Sequence, residues 1–102
     1  MRTVAYPTPG EILRHEFLEP LGISQYRLSK DIEVPQDRIS KIVNGERTIT
    51  ADTALRLARY LGTSEDFWMK LQMDHDKAVA RDALAETLAR IQPHVGALGA
   101  SR

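Results

Sequence analysis

The sequence predicts an all-α protein. Apolar residues recur at helical spacing in five successive stretches, and Ser, Thr, Pro and Gly punctuate their ends. No stretch alternates like a half-buried strand, and there is no internal repeat or low-complexity block. At 102 residues with 42% apolar content, one domain with a modest core is expected.

The first helix opens at Thr8-Pro9-Gly10-Glu11. Thr8 suits the cap, Pro9 the first helical position, and Glu11 can close a capping box. Ile12, Leu13, Phe17 and Leu18 supply its apolar face, and Glu19-Pro20-Leu21-Gly22 ends it. Ser24 caps a second helix from Gln25 to about Ile32, with Leu28 and Ile32 inward. Val34-Pro35 opens a third, which Asn44-Gly45 closes. Thr50 caps a fourth, Ala51 to Leu61, with Gly62 as its stop. Thr63-Ser64-Glu65-Asp66 offers another capping box. From Glu65 the pattern stays helical to about Ile91, with a bend or break expected near the polar Asp74-His75-Asp76. Residues 1–8 read as an N-terminal arm, 9–92 as the folded domain and 93–102 as a flexible tail.

Composition narrows the class. There is no cysteine, so disulfides and thiolate metal sites are excluded. No apolar run approaches the roughly 20 residues that span a bilayer, and Met1 to Gly10 lacks a signal-peptide pattern. A soluble, cytoplasmic protein with no membrane partner is expected. The net charge is zero, but residues 24–60 hold seven basic and five acidic side chains, an excess of +2.

That small excess lies around the second and third helices. Leu28, Ile32, Val34, Ile39 and Ile42 lie where two short helices joined by a tight turn would pack on each other. This is the helix-turn-helix pattern, whose second helix enters the major groove of DNA. With Ile39 and Ile42 buried, Gln36, Asp37, Arg38, Ser40, Lys41 and Asn44 are left mostly outside. Arg can bond guanine bidentately and Gln adenine. Lys41 and Arg47 can neutralise phosphates, and Ser24 and Gln25 begin a helix whose amides can face one. Any amphipathic helix shows a polar outer face, however, and Asp37 argues against a simple phosphate surface. On pattern alone, a DNA reader and a plain surface helix stand level.

The stretch SQYRLSKDIEVPQDRISKIVNGERTITADTALRLARYLGTSEDFWMKLQ, with PGEILRHEFLEPLGI before it, strongly resembles the HigA family of antitoxins, within the phage-repressor-like helix-turn-helix group. NGERTITADTALRLARYLGTS followed by FWMKLQ carries the specificity. The resemblance covers about Pro9 to Gln72. It implies a five-helix phage-repressor-like domain with a long C-terminal helix, a homodimer on palindromic operator DNA, and control of its own operon. It also implies a RelE-like (HigB-type) toxin partner, a small ribonuclease that cuts messenger RNA and is held inactive. By resemblance, Gln36, Arg38, Ser40 and Lys41 read bases, and Asn44, Arg47, Ser24 and Gln25 contact the backbone. The chain departs from the family at Ser29, often Ala, and at Glu33, often Gly. A left-handed Glu33 would cost on the order of 1 kcal/mol, and a differently shaped turn would tilt the third helix.

Other chemistry is poorly supported. His15, His75 and His94 form no metal-ligand spacing, and there is no Gly-rich phosphate loop or nucleophile elbow. No enzyme, cofactor or metal is expected. Phe67 and Leu71 are expected against the helix-turn-helix unit. Trp68, Val79, Ala83, Leu84, Leu88 and Ile91 are assigned to a two-fold dimer interface, Trp68 with the core as its other place. The toxin surface is assigned to the arm and first helix, with Arg14, Glu16 and Glu19; its acidic members would meet a basic ribonuclease. Two rival readings remain: a stand-alone repressor without a toxin, and a protein-interaction module that lacks DNA binding.

Overall fold

The computed structural model describes residues 6–96, and every element within them is helical. Residues 1–5 of the expected arm and 97–102 of the expected tail lie outside the described residues.

Helix α1 covers residues 9–21. Its start is the capping box read from the sequence: Thr8 Oγ1 accepts from the Glu11 amide at 3.1 Å, and the Thr8 amide donates to Glu11 Oε1 at 3.0 Å. The middle, Leu13–Leu18, is a π-helical turn between the α-helical Pro9–Ile12 and Glu19–Leu21. Pro20 gives the physical reason. In an α-helix its ring would meet the carbonyl four residues back. Here the ladder widens just before it, with the Glu19 amide donating five residues back to Arg14. The same widening lets Arg14 Nε reach Glu19 Oε2 at 3.1 Å, five positions along.

Helix α2 is Gln25–Ile32, with Ser24 Oγ accepting from the Arg27 amide at 3.0 Å. Helix α3 is Gln36–Val43, entered through Pro35. Helix α4 is Ala51–Leu61, capped by Thr50 and stopped at Gly62, where φ is +78°. These starts and stops agree with the local sequence rules.

Two expectations are corrected further along. The capping box at Thr63-Ser64-Glu65-Asp66 does not form. Thr63 Oγ1 bonds the Ser64 carbonyl at 3.1 Å, Glu65 and Asp66 make a turn, and α5 starts at Phe67 without a side-chain cap. Nor does the helix break at Asp74-His75-Asp76. Helix α5 runs unbroken over Phe67–Ala83. Pairs four residues apart hold those acids within the helix: Lys70 with Asp74 at 3.6 Å and Gln72 with Asp76 at 3.0 Å. The interruption falls instead at Leu84 (φ −103°, ψ 9°), and a short α6, Ala85–Arg90, follows. The five expected helices are therefore present, the last of them split in two.

The core lies between α1, α2, α3, α4 and the first half of α5. Leu13, Leu28, Ile39, Leu57 and Trp68 are fully buried in it. Phe17, Phe67 and Trp68 form an aromatic cluster, with Phe67 edge-on to Trp68 at 4.9 Å between centroids. Phe67 and Leu71 pack on the core as expected. Buried Gln72 ties α5 to the loop before α4, its Oε1 accepting from the Ile49 amide at 2.9 Å. The apolar side chains beyond this core stay uncovered.

Candidate nucleic-acid interface

Burial of Leu28, Ile32, Val34, Ile39 and Ile42 fixes α3 against α2. The turn between them is the tight one the pattern required. Glu33 is left-handed (φ 60°, ψ 48°), and it is the only non-glycine residue with positive φ among those described. The turn therefore has the shape glycine would give it, so the departure at Glu33 does not tilt α3 away. Two bonds support it. Arg56 Nη1, from α4, donates to the Ile32 carbonyl at 2.8 Å and to the Glu33 carbonyl at 3.1 Å. Nε of the same guanidinium is held by Asp52 at 2.6 Å. Ser29 is small enough for its buried place, and its hydroxyl donates to the Tyr26 carbonyl at 2.7 Å.

The outer face of α3 carries the side chains the sequence assigned to it. Gln36, Asp37, Lys41, Asn44 and Arg47 are exposed, while Arg38 and Ser40 are half-buried at the edge of the packed face. Lys41 Nζ lies 3.4 Å from Asp37 Oδ2, an exposed pair that contributes little and exchanges readily for a phosphate. Among the described residues Arg38 and Arg47 make no ion pair, so both guanidinium groups are available. No side chain caps the start of α3. On α2, exposed Ser24 is committed to capping and Gln25 is half-buried beside it. The arrangement can place cations and amides along one groove of a duplex, and it offers no nucleophile or general base set for catalysis.

Sequence reading did not single out Arg56 and Tyr60. Tyr60 donates its hydroxyl from α4 to the Asp31 carboxylate on α2, which Arg27 Nε also contacts at 2.7 Å. The Tyr60 and Arg27 bonds hold the Asp31 carboxyl below the usual aspartate range, and the same bond pushes the Tyr60 phenol up. The Asp52–Arg56 spacing was a visible signal of an ion pair. The reach of Arg56 to a turn 23 and 24 residues back was not.

The remaining assigned residues are scattered. Trp68 is fully buried within the single chain, so its assignment to the dimer interface is corrected: Phe17 and Phe67 close over it. Val79, Ala83, Leu84, Leu88 and Ile91 are exposed along α5 and α6. Arg14 and Glu16 are exposed on the π-helical turn, and Glu19 is exposed on the α-helical segment that follows it. Glu19 is held below the usual glutamate range by hydrogen bonds from His15 and Arg14. His75 Nδ1 lies 3.1 Å from the Pro7 carbonyl. No group of three or more potential metal ligands occurs among the described residues, and no helix there is long and apolar enough to cross a membrane.

Fold and face together define a helix-turn-helix protein, and a family model described as helix-turn-helix matches residues 15–68. Antitoxin HigA-1 of Vibrio cholerae is 34% identical over 84 residues, covering 82% of this chain and 79% of its own length. Virulence-associated protein I of Dichelobacter nodosus is 49% identical over 72 residues, or 71% of this chain and 67% of the relative. A structure of the Pseudomonas aeruginosa antitoxin HigA with higBA promoter superposes with a TM-score of 0.83 at 40% identity, covering 88% of this chain and 99% of that one. The chain belongs to the HigA family of helix-turn-helix antitoxins, a family of regulators and not of enzymes.

Proposed function

We propose that this protein binds a palindromic operator upstream of its own gene as a homodimer, represses that operon, and neutralises a RelE-like, messenger-RNA-cleaving toxin. The observation that carries the DNA half is the outer face of α3, where Gln36, Arg38, Ser40 and Lys41 stand on a helix fixed by the buried Ile39 and Ile42. In that role Gln36, Arg38, Ser40 and Lys41 read base edges. Asn44, Arg47, Ser24 and Gln25 hold the phosphate backbone and set the register, and Asp37 accepts from a cytosine amino group or releases Lys41.

Dimerisation supports this role because two recognition helices about 34 Å apart reach successive major grooves on one face of the duplex. The exposed Val79, Ala83, Leu84, Leu88 and Ile91 give the apolar face for it. The toxin half rests on family membership and on the exposed, acidic-leaning stretch of α1 with Arg14, Glu16 and Glu19. Repression then works by occluding the promoter, and inhibition by covering the ribonuclease.

Titration of the protein into labelled upstream DNA, with sedimentation of the complex, tests the first half. Two chains per site and a clear preference over scrambled DNA are expected. The product of an adjacent small, basic reading frame tests the second: it should co-purify with the wild-type chain and bind less tightly when Glu16 and Glu19 are reversed to Lys. One chain per site, or unchanged toxin affinity, would overturn the respective half.

A further inference from the structure

The last carbonyls of a helix have no partner within it. At the end of α2 the Glu33 amide donates to Ser29, and so does that of Val34, but the carbonyls of Ile32 and Glu33 point out of the ladder. Arg56 takes both with one nitrogen, while Asp52 fixes the other side of its guanidinium. A cation is favoured at a helix C-terminus in any case. These two carbonyls flank the one strained residue described in the chain, and that residue joins the supporting helix to the reading helix. The shape of this turn decides how α3 leaves α2. A rotation at Glu33 is carried along α3 to Gln36 and Lys41.

We infer that Arg56 is a positioning residue for operator recognition: it clamps the strained turn and so sets the angle at which α3 presents Gln36, Arg38, Ser40 and Lys41. The inference rests on the operator reading above. Tyr60, one turn further along α4, grips Asp31 on α2 and gives the clamp a second point. Arg56 acts through the geometry of the turn. Its loss therefore disturbs base reading, which needs accurate angles, more than phosphate attraction, which does not.

The experiment compares wild type, Arg56→Met, Arg56→Lys, Glu33→Gly and the double variant Arg56→Met/Glu33→Gly. Each is titrated into upstream and scrambled DNA at two salt concentrations, below its own unfolding temperature. Arg56→Met keeps the aliphatic stem and loses the donors. It should reduce the preference for upstream DNA by about tenfold, with scrambled-DNA affinity and salt slope changed by less than about twofold. Arg56→Lys keeps a cation at the turn but loses the planar fork that Asp52 holds, so its preference should fall between those of Arg56→Met and wild type. Glu33→Gly removes the strain that the clamp opposes, so the double variant should recover most of the preference.

A loss of stability alone would move upstream and scrambled binding together and would not be reversed selectively. If Arg56→Met proves unfolded, Glu33→Gly is the background in which the donors are removed, and a loss there equal to or larger than tenfold overturns the inference. So does an Arg56→Met chain that keeps its preference within about twofold. A wild-type chain with no preference would instead remove the operator reading itself.

Discussion

Gly10 sits so close to Ile42 that a Cβ on it would stand 1.8 Å from the Ile42 carbonyl oxygen. The start of α1 is thus pressed on the C-terminal end of α3, with Thr8 beside Gly45 completing the contact. The obstructing atom is backbone and cannot turn aside as a side chain would. Gly10→Ala should therefore lower stability by at least about 1–3 kcal/mol, the usual range for overpacking. Urea denaturation checks this; a midpoint within error of wild type would show that α1 can stand off from α3.

Glu33 offers the opposite change. Its left-handed backbone costs about 1–2 kcal/mol, while glycine's extra freedom in the unfolded chain takes back about 0.4–1 kcal/mol. Glu33→Gly should raise stability by up to about 1.5 kcal/mol, read as a shift of the denaturation midpoint at constant slope. A clear loss would mean that the Glu33 side chain makes a contribution its geometry does not reveal.

Thr53 and Trp68 each bury a polar atom, Oγ1 and Nε1, that has no hydrogen-bond partner among the described residues. Thr53→Val keeps the shape and removes the isolated hydroxyl. Since an unsatisfied buried group costs about 1–3 kcal/mol, Thr53→Val should be stabilising by roughly 1 kcal/mol. A rise in the thermal midpoint is the check, and a fall would contradict it.

Asp31 makes part of the stability pH-dependent. Its folded pKa is depressed, first by the Tyr60 hydrogen bond and then by Arg27. The contribution is fully present above the unfolded value of about 3.9 and is lost as pH falls through the lower folded one. Tyr60 is raised in the folded state, so its share is present below about pH 10 and is lost above that. The stability difference between wild type and Asp31→Asn should therefore be widest near neutrality and narrow below about pH 4. A difference that stays constant between pH 3 and 7 would contradict the assignment.

Much of this molecule is legible from local rules. Ser24, Thr50 and Gly62 mark helix ends because a cap is decided within a few residues, and the period of Leu28, Ile32, Ile39 and Ile42 settles which face of α3 remains outside. The π-helical turn has no such local signal: Pro20 marks the end of α1 by the usual rules, whereas the chain accommodates it by widening. The interruption at Leu84 has no local signal, since Ala83-Leu84-Ala85 holds neither glycine nor proline. Trp68 suits core and interface alike by sequence, since aromatic residues serve both, and the placement of Phe17 and Phe67 around it decides for the core. The Arg56 clamp joins residues 23 and 24 apart, a relation that periodicity cannot express.

The most direct test of the central claim is fluorescence anisotropy with the chain's own upstream DNA and a scrambled control, comparing wild type with Arg38→Ala at two salt concentrations. A reading helix predicts that wild type prefers its upstream DNA and that Arg38→Ala loses about 1–3 kcal/mol of that preference. Affinity should also fall steeply with salt as phosphate contacts release counterions. If wild type binds neither DNA at low salt, α3 is scaffold, and the protein acts through its partner alone.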